Sequence, residues 1–187
     1  MDEEIQFYLG EAEESMGKSL HHTGQELSRI RAGKASPAML DSLRVDYYGT
    51  PTPIAQIANI TTPDARSLLI KPWEKNMISE VAKSIKNSDL GLNPVSDAEG
   101  VRLNIPPMTE ERRRDLVKQV KNETESGKVR IRGIRKDVNE SLRKLLKDGA
   151  AEDAIKDAEA KVQKATDSYI SRIDELMSKK ESEIMTI

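Results

Sequence analysis

Apolar or small residues return at every third or fourth position in three long stretches of this 187-residue chain. In residues 1–30 the series is Ile5, Leu9, Ala12, Met16, Leu20, Thr23, Leu27 and Ile30. In 109–147 it runs from Leu116 and Val120 through Thr124, Gly127, Ile131, Ile134 and Val138 to Leu142 and Leu145. In 150–184 it runs from Ala151 and Ile155 through Ala158, Val162, Ala165, Tyr169 and Ile173 to Leu176 and Ile184. Steps of three and four put side chains on one face of an α-helix, so each stretch has a single stripe to bury. At 1.5 Å per residue the helices would be roughly 45–60 Å long. Three stripes of similar length cover one another as a three-helix bundle. Thr109 suits an N-cap, with Glu110 and Glu111 in the first turn where carboxylates favour the helix dipole. Lys147-Asp148-Gly149 reads as a helix C-terminus. Gly17, Gly24, Gly127 and Gly133 fall inside the helices, each at a cost of about 1 kcal/mol relative to Ala. Close helix packing is the expected reason.

The stretch between the first and second helices has another grammar. All eight prolines lie between Pro37 and Pro107. Leu43, Val45 and Tyr47 alternate with polar residues up to Gly49, which is a strand and a turn. Ile57–Ile60 and Leu68–Ile70 are further strand candidates. Ile78, Val81, Ala82 and Ile85 mark a short helix over about 76–88, and Val101, Leu103 and Ile105 alternate again. The reading is α+β: a long three-helix bundle (1–30 and 107–187) with a small β/α/β domain (31–106) inserted in it. Trp73 is expected to pack inside that small domain. The chain must cross between the two parts twice, near Arg31–Ser36 and near Asn104–Thr109. Pro106-Pro107 fixes φ at two successive residues. Two connectors restrict motion more than one tether would, so a two-stranded hinge is expected over Gly33, Lys34, Ser36, Pro37, Ile105, Pro106 and Pro107.

Charge is sorted along the chain although the net charge is only -2. Residues 1–30 hold 2 Lys and Arg against 7 Asp and Glu; residues 109–147 hold 13 against 7; residues 148–187 hold 6 against 10. One basic helix therefore lies between acidic partners, and contact with a polyanion is one reason for such sorting. Around the basic helix, Arg114, Lys118, Lys121, Lys128, Arg132, Arg135, Lys136 and Arg143 fall on the flank and far side of the apolar face centred on Val120 and Val138. Two readings stand side by side. The row is a solvated helix face, or it contacts phosphates, for which Arg offers a planar bidentate fork. Aromatics are only 3% of the chain, so base stacking cannot be the main mode, and backbone contact with structured RNA is the form that phosphate binding would take.

Other functions fit less well. The chain has no cysteine, which excludes disulfides and thiolate metal sites. An acidic start and the lack of a long apolar run predict no signal peptide and no membrane span. Gly17-Lys18-Ser19 mimics the end of a P-loop, but Ala12 stands where the motif needs Gly and the triplet sits mid-helix. His21 and His22 are adjacent, hence about 100° apart on a helix, and cannot grip one metal from one face. A helical scaffold with no RNA partner is the rival reading; it leaves the Pro-rich insertion without a reason.

Five motifs, in order, carry a resemblance to a known family. Arg31-Ala32-Gly33-Lys34-Ala35-Ser36-Pro37 resembles the Arg-Thr-Gly-Arg-Ala-Ser-Pro signature of the ribosome recycling factors. Tyr47-Tyr48-Gly49-Thr50-Pro51-Thr52-Pro53 and Asp89-Leu90-Gly91-Leu92-Asn93-Pro94 match it too. So do Pro106-Pro107-Met108-Thr109-Glu110-Glu111-Arg112-Arg113 and Val129-Arg130-Ile131-Arg132-Gly133-Ile134-Arg135-Lys136-Asp137. The resemblance covers essentially the whole chain. It implies an L-shaped fold and a cytoplasmic, bacterial-type factor that is not an enzyme and uses no cofactor or metal. Such a factor binds the ribosome after peptide release and, with elongation factor G and GTP, separates the subunits so that messenger and transfer RNA leave. It implies a bundle seated on large-subunit RNA at the subunit interface through Arg31, Arg132 and Arg135, with Arg113 a further candidate. Lys121, Lys128 and Lys136 of the basic row complete the expected RNA-binding set. Lys34 and Ala32 depart from the signature; Lys34 keeps the charge and loses the fork. A monomer with no membrane partner is expected.

Overall fold

The computed structural model describes residues 1–31 and 33–186; Ala32, one of the two departures from the signature, lies outside the described residues. Its elements are α1 (Asp2–Arg29), β1 (Arg44–Tyr47), β2 (Thr50–Pro53), β3 (Ala58–Asp64), β4 (Ser67–Pro72), α2 (Ile78–Lys86), β5 (Pro94–Ser96), β6 (Val101–Asn104), α3 (Glu110–Lys147) and α4 (Glu152–Met185). They form two compact units, one of residues 1–31 with 110–186, the other of residues 33–109. Arg31 thus groups with the helices, whereas Pro107 and Met108 group with the small unit, where Met108 lies against Gly33.

The helical unit is the expected three-helix bundle. α3, at 38 residues, is about 57 Å long at 1.5 Å per residue. Its core follows the predicted stripes: Ile5, Ala12, Met16 and Leu27 of α1, Leu116, Val120, Ile131 and Leu142 of α3, and Ile155, Ala158, Val162 and Ile173 of α4 are buried. Three threonines, Thr23, Thr124 and Thr166, are buried among them. Burying a hydroxyl is costly unless it is bonded. Each one donates back along its own helix, to Ser19 O (2.9 Å), Val120 O (2.9 Å) and Val162 O (2.8 Å), the local pattern open to Thr in a helix. Every helix opens on acids: Asp2, Glu3 and Glu4; Glu110 and Glu111; Glu152 and Asp153. Carboxylates there offset the positive end of the dipole.

Close packing explains only one of the four helical glycines that the sequence singled out, and it does not explain Gly10 of α1, around which a Cβ would meet nothing within 4 Å. At Gly127 a Cβ would lie 2.4 Å from Thr23 Oγ1, so α1 and α3 touch there closely enough that any larger residue would force Thr23 to shift. At Gly17 and Gly24 a Cβ would meet only ordinary contacts, at 3.6 and 3.9 Å. At Gly133 it would meet nothing within 4 Å, because this residue faces outward on α3. The packing expectation therefore fails at Gly133.

In the small unit β1 and β2 make a hairpin, and β3-β4-β6-β5 make an antiparallel sheet. The Tyr48-Gly49 turn has positive φ at both residues (49° and 87°), the two-residue geometry whose twist suits a hairpin. Val45, Leu68, Ile70, Val81, Ile85, Val101 and Leu103 are fully buried and join the sheet to α2. β2 and β5 escaped the sequence reading because both carry proline (Pro51, Pro53, Pro94) and show little alternation. Both lie at sheet edges, where a missing donor costs least. Trp73 corrects an expectation: it is 67% exposed. Trp73 follows the end of β4 on the side of Leu69 and Lys71; Leu69 is covered there, but from Lys71 onward that side is open to solvent.

Candidate nucleic-acid interface

The buried meridian of α3 runs through Val120 and Val138. At 100° per residue, Arg113 lies about 20° from it, Arg135 about 60°, Lys128 about 80°, Lys121 about 100°, Arg132 about 120° and Lys136 about 160°. These angles and the partner that each side chain meets together decide which cations are free. Arg113 points along the bundle, and its Nη1 donates to Met185 O at the C-terminus of α4 (3.2 Å). Arg135, half-buried, donates from Nη1 to Gln163 Oε1 on α4 (3.3 Å). Lys128 forms an ion pair with Asp174 of α4, and its side chain is mostly buried. Arg143 pairs with Glu159 of α4 (3.2 Å). The inner row of the basic flank, and Arg143 further round at about 140°, are thus committed to the acidic helix beside them.

The outer row faces solvent. Lys121 and Lys136 are exposed and form no ion pair among the described residues. Arg132 is exposed and pairs with Glu125 on the same helix (3.1 Å). Arg31 is exposed just past the end of α1. It shares an open groove with Arg29 and Arg112, edged by Glu26 and Glu123. Glu26 is bonded to Arg29 (3.0 Å). From Arg112 to Lys136 the helix advances about 36 Å. The predicted residues are therefore strung along the bundle rather than gathered: Lys121, Arg132 and Lys136 share the outer row, Arg31 stands near one end, and Arg113, Lys128 and Arg135 are turned inward.

Two further residues belong to the surface around Arg31. Neither Arg29 nor Arg112 was among the candidate site residues, although Arg112 stands in one of the five motifs and both lie close in sequence to Arg31 or Arg113, which was a usable signal. On the opposite flank, Arg130 is structural: its Nη2 donates to Thr23 Oγ1 (3.2 Å) at the contact opened by Gly127.

The expected hinge residues lie in the small unit. Gly33 has φ +74°, and a Cβ there would meet Met108 Cγ at 3.2 Å. Lys34 is exposed. Ala35 N donates to Ala65 O (2.8 Å), and Ile105 N donates to Arg66 O (2.7 Å). Both chain segments are thus fastened to the turn between β3 and β4. Ser36 Oγ accepts from Ala38 N (3.3 Å) and caps a short 3₁₀ turn that starts at Pro37. Ile105 is buried, and Pro106 and Pro107 are exposed.

The other sequence signals end in ordinary structure. Gly17-Lys18-Ser19 lies inside α1, where Lys18 bonds Glu14 (2.6 Å). His21 and His22 are exposed. Among the described residues, no group of three or more His, Cys, Asp or Glu could hold a metal ion, and no helix is long and apolar enough to cross a membrane.

A long helical bundle that displays a charged row along one flank, with a separate sheet module inserted in its sequence, is the architecture of a binding factor. A family model described as ribosome recycling factor matches residues 23–185. The ribosome-recycling factor of Cytophaga hutchinsonii is 53% identical over 185 residues, which is 99% of this chain and 100% of that protein. That of Amoebophilus asiaticus is 55% identical, with the same coverage. A solution structure of a ribosome recycling factor superposes with a TM-score of 0.75 at 36% identity, covering 98% of each chain. A Thermus thermophilus factor, described with Escherichia coli elongation factor G on the post-termination complex, superposes with a TM-score of 0.61 at 44% identity, covering 96% of this chain and 98% of its own. The chain belongs to the ribosome recycling factor family.

Proposed function

We propose that this protein binds the post-termination ribosome and, with elongation factor G and GTP, separates the subunits so that messenger and transfer RNA are released. The end-to-end likeness to ribosome-recycling factors carries the reading. The outer row of α3 suggests how docking works. Arg132, Lys121 and Lys136 meet phosphates of large-subunit RNA at the subunit interface, and Arg31 adds a contact near the end of the bundle. Arg135 and Arg113 contribute by swinging out from their hydrogen bonds; Lys128 contributes by lending its charge. Phosphate contacts of this kind fix orientation without reading sequence.

The protein is not itself an enzyme in this account. Elongation factor G supplies the energy from GTP, acts on the small unit, and the two connectors carry the push to the bundle. The pivot is assigned to Gly33–Lys34 and Pro106–Thr109, because Ala35 and Ile105 are already fastened to the Ala65–Arg66 turn. The domains then act as a docking part (1–31 and 110–186) and a pushed part (33–109). The protein works as a monomer in the cytoplasm, without cofactor or metal.

The test is co-sedimentation with post-termination ribosomes and light-scattering measurement of subunit splitting, with and without elongation factor G and GTP. Binding in both conditions and splitting only in the complete mixture is the expected result. A chain that neither pellets with ribosomes nor accelerates splitting would overturn the proposal.

A further inference from the structure

The chain has six aromatic residues, and three of them, Tyr47, Tyr48 and Trp73, crowd around one carboxylate on the surface of the small unit. Tyr47 Oη donates to Glu74 Oε1 (2.8 Å) and Tyr48 Oη to Glu74 Oε2 (2.7 Å). Asn76 Nδ2 in turn donates to Tyr48 Oη (3.0 Å). The two tyrosine rings meet edge to face, 4.7 Å between centroids. Beside them lies an open cleft of about 340 Å³, lined by Tyr47, Gln56, Trp73 and Glu74. Tyr48 and Trp73 are each about two-thirds exposed, so they add little to the core.

Glu74 is fixed in place and yet has no cation. The two hydroxyls hold its carboxyl below the usual range, Tyr48 the more strongly. Lys75 is its neighbour in sequence, but among the described residues no Lys or Arg lies within ion-pair distance of it. Each carboxylate oxygen has used one of its two acceptor sites and keeps another open. An ionised carboxylate of fixed orientation, with an exposed indole and a phenol ring at its side, is the arrangement that favours a cation: charge-assisted hydrogen bonds on one side and ring faces on the other.

We propose that this cleft binds the guanidinium or alkylammonium side chain of a basic segment on a protein partner. RNA is the wrong occupant, since Glu74 would repel its phosphates. The inference does not rest on the recycling reading, and either can fail alone.

Trp73 is the only tryptophan, so its fluorescence reports this cleft and not the acidic faces of the bundle. The full chain is titrated with tetraarginine amide, tetralysine amide, tetraglutamate and a tetrauridine RNA. Saturable changes in Trp73 emission are expected with the two cationic peptides, arginine the tighter, and none with the other two. Glu74→Gln should weaken the arginine peptide at least about fivefold. Tyr48→Phe, which keeps the ring and removes one bond to Glu74, should weaken it less. Circular dichroism checks that both variants are folded. No emission change with tetraarginine, an undiminished response in folded Glu74→Gln, or a response to tetrauridine would each overturn the proposal.

Discussion

Glu125 and Arg132 are partners on the outer row, and removing them one at a time should move ribosome affinity in opposite directions. The pair is 3.1 Å apart, with side chains 61% and 45% exposed. Such a pair contributes about 0.2–1 kcal/mol to stability. Arg132→Ala should therefore leave the melting temperature nearly unchanged. If Arg132 meets a phosphate on the ribosome, a charge-assisted hydrogen bond of about 1.5–3 kcal/mol is lost. That is roughly a ten- to hundredfold loss of affinity. Glu125→Gln frees the guanidinium and removes a negative charge from the docking face. It should tighten binding by up to about fivefold at low salt, the equivalent of 1 kcal/mol. Co-sedimentation with post-termination ribosomes over a range of KCl gives both numbers. With the four contacts of Lys121, Arg132, Lys136 and Arg31, log affinity should fall with log salt at a slope of roughly -3 to -4, and Arg132→Ala should make the slope shallower by about 0.7–0.9. A salt-independent affinity, unchanged binding of Arg132→Ala, or weaker binding of Glu125→Gln would refute the docking surface.

The remaining predictions test packing, the pivot and acid stability. Gly127→Ala puts a methyl group 2.4 Å from Thr23 Oγ1 and 3.3 Å from Ile173 Cδ1. Overpacking of about 1–3 kcal/mol outweighs the gain of about 1 kcal/mol in helix propensity, so urea denaturation should show a net loss, largely recovered by adding Thr23→Ala. Replacing Pro106-Pro107 with Gly-Gly should spare ribosome binding and slow subunit splitting; splitting at the normal rate would count against a push carried by the connectors. Asp97 is held below the ordinary carboxylate range by the backbone N–H groups of Glu99 and Gly100, then by Arg102. A depressed folded pKa gives stability that is present above the unfolded value of about 3.9 and lost as pH falls through the folded one. Amide protection factors in the 97–100 turn, corrected for the intrinsic pH dependence of exchange, should therefore fall below about pH 4, and Asp97→Asn should flatten that dependence.

Much of the architecture was legible because helices and strands advertise themselves locally. A stripe such as Val120–Ile131–Val138–Leu142 has one economical way to be buried, and five motifs in order named a family before any coordinates. Two edge strands were not legible: β2 and β5 are held by their neighbours and carry prolines that count against a strand. Trp73 misled for a related reason. An isolated indole reads as core material, and only the folded sheet shows that the side of β4 it shares with Lys71 is open to solvent.

By itself the sequence determined the α+β class, the three long helices, and the one basic helix between two acidic ones, since periodicity and charge are properties of single elements. Only the tertiary structure decided which cations are free, because that depends on the neighbour each one faces across the bundle. Lys128 meets Asp174 and Arg135 meets Gln163, while Lys121 and Lys136, a fraction of a turn further round, meet water. It alone also decided that Gly127 sits in a tight contact and Gly133 does not, because the space around a missing side chain is set by the helix on the other side.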